Sequence, residues 1–528
     1  MFKRSVPSHT QQNHNQQSFS SSLQENIALL KSVLHDDEMI VYRDFTKQGE
    51  KKPCYCLVFS APVSSDKTIN SRIVHPIISK LLGGCGSGAD AGKATVRPSI
   101  KKLLGKHANG SDLIDYVINQ VIEVRDIKKE NNIEEAVKSL LCGDTLFLLE
   151  GSSEILIIGT REWMLRSITE PESEAVVRGP REGFNESLNT NISLLTRRIV
   201  NPNLKFKYME LGDITKTRIC ISYIEGIASE KIIREVEKRL NGIQSDGILD
   251  SGYIQELIKD APYSVFQTIG NTERPDVVAA KLLEGRVAIL CDGSPSALTV
   301  PFLFIEYFLT NEDYYADYIF ASINRILRFV CYFFTISIPA IYVAIVSFHQ
   351  ELLPTPLLLS IAIARHSVPF PSVVELIVML LGFEVMREAG VRLPSMVGMT
   401  ISIVGALVLG QAAVSAKIIS APIVIITAFT GICSFVIFRL KGPVIVTRIY
   451  FLIAASFLGL VGYMLGIITL FLYLVSVRSF GVPYMLNASL IDVNSIQDTA
   501  IRAPLWFMTK RPRFAINHKK GNAARRTK

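Results

Sequence analysis

The spacing of apolar and polar positions changes character near residue 330: short apolar runs and helical periodicities precede it, and long apolar stretches follow. Six runs have the composition of strands bounded by Gly, Asp, Asn or Pro: Cys54–Ser60, Thr145–Leu149, Glu154–Thr160, Lys205–Leu211, Thr217–Ile224 and Arg286–Cys291. Between them, Asp112–Asp126 sets Leu113, Ile114, Val117, Val121 and Val124 at helical spacing, and Asn189–Val200 and Ser229–Leu240 also read as helices. The last opens on Ser229 as N-cap, carries Glu230 in its first turn and stops at Asn241-Gly242. Strands alternating with helices predict a mixed α/β region. Its length suits one large domain or two ordinary ones, and the Pro- and Gly-containing run Thr169–Gly183 is the expected boundary.

Past Phe329 the chain has four windows without Asp, Glu, Lys or Arg: Phe329–Gln350, Leu393–Ala416, Ile418–Phe438 and Ile449–Val477. Each is long enough for a helix to cross a bilayer, which takes roughly 20 apolar residues. The expected architecture is therefore an α/β cytosolic region of two subdomains followed by a polytopic α-helical transmembrane bundle. The expected divisions are a disordered tail (1–22), an N-terminal α/β subdomain (23–168), a linker (169–183), a second α/β subdomain (184–322), a transmembrane domain (323–480) and a basic cytosolic tail (481–528).

Charge sharpens this picture. Residues 1–329 hold 39 Lys/Arg and 42 Asp/Glu, residues 330–477 hold 7 and 4, and residues 478–528 hold 10 and 2. A single soluble globule is excluded. The positive-inside rule puts Arg325, Arg328, Arg439, Lys441, Arg448 and the tail on the cytosolic side, which demands an even number of crossings. Four charge-free windows plus the interrupted segment Val368–Met386 make five, so either Leu393–Phe438 contains a broken element or Leu352–Ala364 adds a short crossing. The basic tail fits anionic headgroups; no motif supports nucleic-acid binding. Eight cysteines without CxxC spacing point to reduced thiols rather than zinc or disulfides. The loop Gly83-Gly84-Cys85-Gly86-Ser87-Gly88-Ala89-Asp90-Ala91-Gly92-Lys93 fails as a phosphate cradle, because Ser87 stands where the first glycine is needed and Ala94 where a hydroxyl is needed. No cofactor, metal site or catalytic activity is expected.

Several ordered motifs carry a resemblance: Phe184-Asn185-Glu186-Ser187-Leu188, Asn201-Pro202-Asn203-Leu204, Tyr223-Ile224-Glu225-Gly226, Leu249-Asp250-Ser251-Gly252-Tyr253, Thr272-Glu273-Arg274-Pro275-Asp276 and Asp292-Gly293-Ser294-Pro295. The apolar half adds Phe383-Glu384-Val385-Met386-Arg387-Glu388-Ala389-Gly390 and Ile501-Arg502-Ala503-Pro504-Leu505-Trp506. Together, across roughly Arg181 to Arg513, the chain resembles the A subunits of GerA-type spore germinant receptors. The resemblance implies a complex with a polytopic B subunit and a lipoprotein C subunit in the inner membrane of the spore. There a small nutrient, such as an amino acid or sugar, triggers germination and cation release. It also implies homo-oligomerisation into a nutrient-gated ion channel; a non-conducting scaffold and a secondary transporter are the alternatives. A transporter would show paired inverted repeats, and no internal repeat is visible in the sequence.

Ionisable groups at membrane depth are the candidate site residues. Glu384 and Glu388 share a helical face, and Glu384 can meet Arg387 three residues on, as an interfacial salt bridge. Glu375 points to nearly the opposite side, either into a water-filled pore or into a hydrogen bond within the bundle. Leu380 departs from the family, which often carries an acid there. Gly398, Gly405 and Gly410 mark a closely packed helix with Gln411 as its polar exception. In Glu273-Arg274-Pro275-Asp276, Pro275 suits a first helical turn and Asp276 the helix dipole; the block is either fold-defining packing or a subunit docking surface.

Overall fold

The computed structural model describes residues 18–34, 37, 39–46, 53–61, 63–81, 110–161, 174, 176, 178–392, 410–485, 498–499, 501–508 and 511. The glycine-rich loop 83–93, Gly398, Gly405, residues 169–173, 175 and 177 of the linker, and most of the amino-terminal and basic tails lie outside these.

The first α/β unit contains α1 (Leu23–Leu34), β1 (Ile40–Thr46), β2 (Pro53–Ser60), β3 (Ile127–Glu130), α2 (Ile133–Leu141), β4 (Thr145–Leu149) and β5 (Ile155–Ile158). Its strands pair antiparallel in the order β1-β2-β4-β5-β3. Side chains alternate across a strand, so Cys56, Val58, Leu146 and Leu148 pack under α1 and α2. Leu57, Phe147, Leu156 and Ile158 face the other way, onto helical residues 69–77 and 114–121. The expected helix Asp112–Asp126 is an α-helix over Gly110–Tyr116 that continues as a π-helix over Val117–Val121.

The second unit repeats this plan with α3 (Leu188–Arg198), β6 (Leu204–Leu211), β7 (Thr217–Ile224), α4 (Glu230–Asn241), α5 (Ser251–Ile258), β8 (Gly270–Thr272), α6 (Pro275–Glu284), β9 (Val287–Cys291) and β10 (Ala297–Val300). The strand order is again first, second, fourth, fifth, third: β6-β7-β9-β10-β8, all antiparallel. Helices α3 and α6 cover one face over Phe206, Cys220, Ala288 and Leu290. Helices α4 and α5 cover the other over Ile219, Ile221, Ile289 and Leu298. The two three-layer units are thus a topological duplication, although no repeat is visible in the residues themselves.

The neck, residues 301–317, leads into α7 (Tyr318–Phe348), α8 (Thr355–Arg365), α9 (Ser372–Arg392), α10 (Ala421–Val436) and α11 (Lys441–Ser476). By length and composition, two described helices, Tyr318–Phe348 and Phe438–Ser476, are long and apolar enough to cross a membrane, and Thr355–Arg365 and Ala421–Val436 are shorter apolar helices. The second long helix is a hairpin of two arms, 441–458 and 460–476. At Gly459 the backbone leaves helical geometry (φ 60°, ψ −140°), and the Phe451 and Tyr463 rings lie 5.7 Å apart. Twelve residues of straight helix would separate them by about 18 Å. A Cβ at Gly459 would stand 2.9 Å from Phe348 Cβ, so a close approach by the end of α7 and a conformation open to glycine coincide there.

After α11 the chain makes a small hairpin, β11 (Arg478–Ser479) and β12 (Val482–Pro483). Its turn residue Phe480 inserts into the core under α4 and α5. The Arg239 guanidinium stacks on that ring at 4.2 Å, and Phe480 N–H donates to Asp260 Oδ2 at 2.8 Å. Both ends of the helical region are therefore fastened to the second α/β unit.

Candidate functional site

Charged side chains concentrate where the second unit, the neck and the helices meet. Arg274 occupies the N-cap position of α6 and Pro275 its first turn. Arg274 is 1% exposed. Its guanidinium donates to both oxygens of Asp276 at 3.1 and 2.9 Å, and to the carbonyls of Glu174 at 3.2 Å and Pro180 at 2.9 Å. Asp276 also accepts from Asn311 Nδ2 at 2.7 Å and Tyr315 OH at 2.9 Å. Burial works against its charge, but these donors hold its carboxyl below the ordinary value. Glu273 lies half-buried; its carbonyl accepts from Phe184 N–H at 2.7 Å. Within this chain, Arg274, Pro275 and Asp276 face inward and bind the linker to the neck.

A second cluster lies beside it. Glu306 pairs with Arg286 and, at 3.0 Å, with Lys281; Arg286 also meets Glu284 at 3.1 Å. Burial pushes the Lys281 ammonium pKa down and opposes the charge on Glu306, whose two cationic partners nonetheless hold it below the ordinary carboxylate value. A cavity of about 270 Å³ opens here, lined by Lys281, Glu284, Phe302, Tyr314, Arg439 and Leu505 among others. Arg439, in the 3-10 turn just before α11, pairs with Glu174 at 2.7 Å.

The third cluster holds α7. Asp313 accepts from Arg325 Nε at 3.0 Å and from both terminal nitrogens of Arg328 at 2.8 Å. Arg325, fully buried, reaches Asp498 Oδ1 at 2.8 Å, whose other oxygen accepts from Tyr314 OH at 2.7 Å. Burial opposes the charge of Asp313, and the two arginines keep its pKa below the ordinary value. Together the three clusters form an ionic collar around the neck. Its members position one another, and among the described residues no nucleophile, base and orienting group converge in it.

The helical region carries the sequence-derived membrane residues. Glu375 is 1% exposed; its Oε2 accepts from Ser420 N–H at 2.8 Å, and its Oε1 lies 3.9 Å from Arg365 Nε. That Oε1 and the hydroxyls of Ser372, Ser420 and Tyr342 are buried without a hydrogen-bond partner among the described residues. Glu384 does meet Arg387, as its spacing implies, and also Arg448 from α11 at 2.8 Å. Glu388 is on the surface with Arg392 at 3.0 Å and Lys441 at 2.9 Å. Gln411 is exposed, and a Cβ on Gly410 would make ordinary contact with Val424 at 3.7 Å. Two described helical glycines are tightly packed: Gly431, where a Cβ would strike the Phe383 ring at 2.6 Å, and Gly462, where it would meet the Ala454 carbonyl. The pairings of Glu174 and Arg448 escaped sequence reading because their partners are 265 and 64 residues away.

These features define a tandem α/β module joined through an ionic collar to apolar helices. The chain matches the family model described as Bacillus/Clostridium GerA spore germination protein over residues 28–514, and it belongs to that family. It is 40% identical over 496 residues to Spore germination protein KA of Bacillus subtilis (strain 168), covering 93% of this chain and 86% of that one. Spore germination protein B1 of the same organism is 36% identical over 494 residues, covering 93% and 97%. Among solved structures, the N-terminal domain of the A subunit of the Bacillus megaterium spore germinant receptor GerK3 is 29% identical. That match covers 55% of this chain and 98% of that one, with a TM-score of 0.38.

Proposed function

We propose that this protein is the A-type subunit of a nutrient germinant receptor in the inner spore membrane, acting with a polytopic B and a lipoprotein C subunit, and that several copies surround a nutrient-gated cation path. The observation that carries the path is Glu375: a buried carboxylate oxygen without a hydrogen bond, 3.9 Å from Arg365 Nε and accompanied by three hydroxyls also without hydrogen bonds, is a place where water or a cation is favoured over lipid. The nutrient acts by binding the closed and open states with different affinity.

Contacts at the two ends of the helices support an even number of crossings. Glu388 beside Lys441 and Arg439 beside Glu174 mark the cytosolic end. Glu375 beside Ser420 and the end of α7 beside Gly459 mark the opposite one. Helices α7, α9, α10 and the two arms of α11 account for five crossings, and the charge-free window Leu393–Ala416 of the sequence supplies the sixth in this proposal. That even number leaves both termini cytosolic.

The test is potassium flux from liposomes carrying the intact protein or Glu375→Gln, alone and with the partner subunits, with and without nutrient. Nutrient-dependent flux altered by the substitution is expected. A folded, complete complex that passes no ions would make the chain a scaffold.

A further inference from the structure

Residues 330–477 hold seven Lys/Arg against four acids, and at Glu384 that shortage is buried. Arg387 ion-pairs with one oxygen of Glu384, while Arg448 Nη2 donates to the other at 2.8 Å. Arg448 is 2% exposed. Its Nε and Nη1, and Arg387 Nε, have no acceptor among the described residues; Arg387 Nη1 reaches Ser434 Oγ at 3.4 Å. The next acid along α9, Glu388, is shared by Arg392 and Lys441, and residues 393–409 contain no Asp or Glu. Among the described residues two guanidiniums therefore share one carboxylate, leaving a positive charge without a counterion and three buried N–H donors without an acceptor. That arrangement is strongly unfavourable unless an acceptor completes it.

We propose that Arg387 and Arg448 bind a phosphate-type oxyanion. Planar guanidiniums offer N–H forks that match phosphate oxygens. Arg448 lies seven residues into α11 from Lys441, about 10 Å along the helix, and Arg387 is adjacent to Glu388. The site is therefore close to the collar end of the helices, within reach of an anionic phospholipid headgroup or of inorganic phosphate from the aqueous side.

The test uses the full-length protein purified in a maltoside detergent and phosphate-free buffer. Thermal unfolding is followed with added phosphatidylglycerol, with inorganic phosphate, and with sodium chloride at matched ionic strength. One or both phosphate sources should raise Tm by several degrees beyond the chloride control. The shift should vanish in Arg448→Met and grow in Glu384→Gln, where the local excess charge rises. A shift from the lipid alone assigns the headgroup, and one from phosphate alone assigns the free ion. Because Arg448→Met removes a buried charge and can alter stability by itself, native mass spectrometry of retained lipid and phosphate is compared between it and the wild type. Equal retention by both, or no phosphate-specific shift in the wild type, would overturn the assignment and leave ordered water as the acceptor.

Discussion

The two α/β units share strand order and layering but differ at one equivalent position. The helix before the fourth strand of the first unit, α2, is capped by Asn132, whose side chain accepts from Glu134 N–H at 2.9 Å. In the second unit the same place is held by Arg274, which makes no side-chain cap and instead grips Asp276, the linker and, through Asp276, the neck. The sheet plan tolerates either choice because cap geometry, unlike core packing, leaves the side chain free to serve another purpose. The first unit spends that position on local helix stability; the second spends it on holding the helical region.

The largest expected effect tests whether the collar is structural in this sense. Arg325→Met leaves Asp313 with one arginine and strips Asp498 of its guanidinium, and should destabilise the purified protein by about 3–5 kcal/mol. Lys138→Ala in the first unit, whose ammonium pairs with Glu135 where both side chains are exposed, should cost about 1 kcal/mol or less. Equal drops in Tm for the two variants would erase the contrast. Phe480→Ala removes a buried ring and its Arg239 contact, for about 3 kcal/mol. Amide exchange should accelerate in the second unit and leave the first unchanged.

Acid should separate the units next. Asp276, Glu306 and Asp313 all have folded pKa values below their ordinary ones. The unfolded chain therefore takes up protons first as pH falls, and stability that is complete above about pH 5 is lost progressively below it. Exchange at pH 3.5 relative to pH 7 should rise more at the neck than in β2 or β4; uniform acceleration would contradict the collar's role. The smallest effect is local: Asn132→Ala should cost about 1 kcal/mol, whereas Ser229→Ala should cost little, because Ser229 makes no cap hydrogen bond.

Central strands were more legible in the sequence than edges, although the edge strand β6 was read as Lys205–Leu211. Thr145–Leu149 and Thr217–Ile224 have the bounds read from their apolar runs, since a strand flanked on both sides must be apolar. Strands β1, β3 and β8 went unread, and all three are sheet edges. Residues such as Arg43, Asp44, Lys128 and Lys129 belong to edges meeting water, where charge also discourages pairing with other chains. Strand β10, interior but four residues long, was too short to register. The turn at Gly459 was hidden for another reason: a bend inside lipid-compatible sequence needs no polar residue, so hydropathy runs through it unbroken. At the candidate site, the Glu384–Arg387 pair was readable because helical spacing sets it, whereas Arg448 needed the fold.

The docked hairpin at Phe480 has a mechanical consequence. The first helix rises from one side of the second α/β unit, and the last returns to the same unit by way of β11 and β12. These two helices are legs on a single footing. Neither can tilt alone unless the footing rotates or the other leg follows, so a small rocking of one sheet carries the far ends of both, which meet at Phe348 and Gly459, in the same direction.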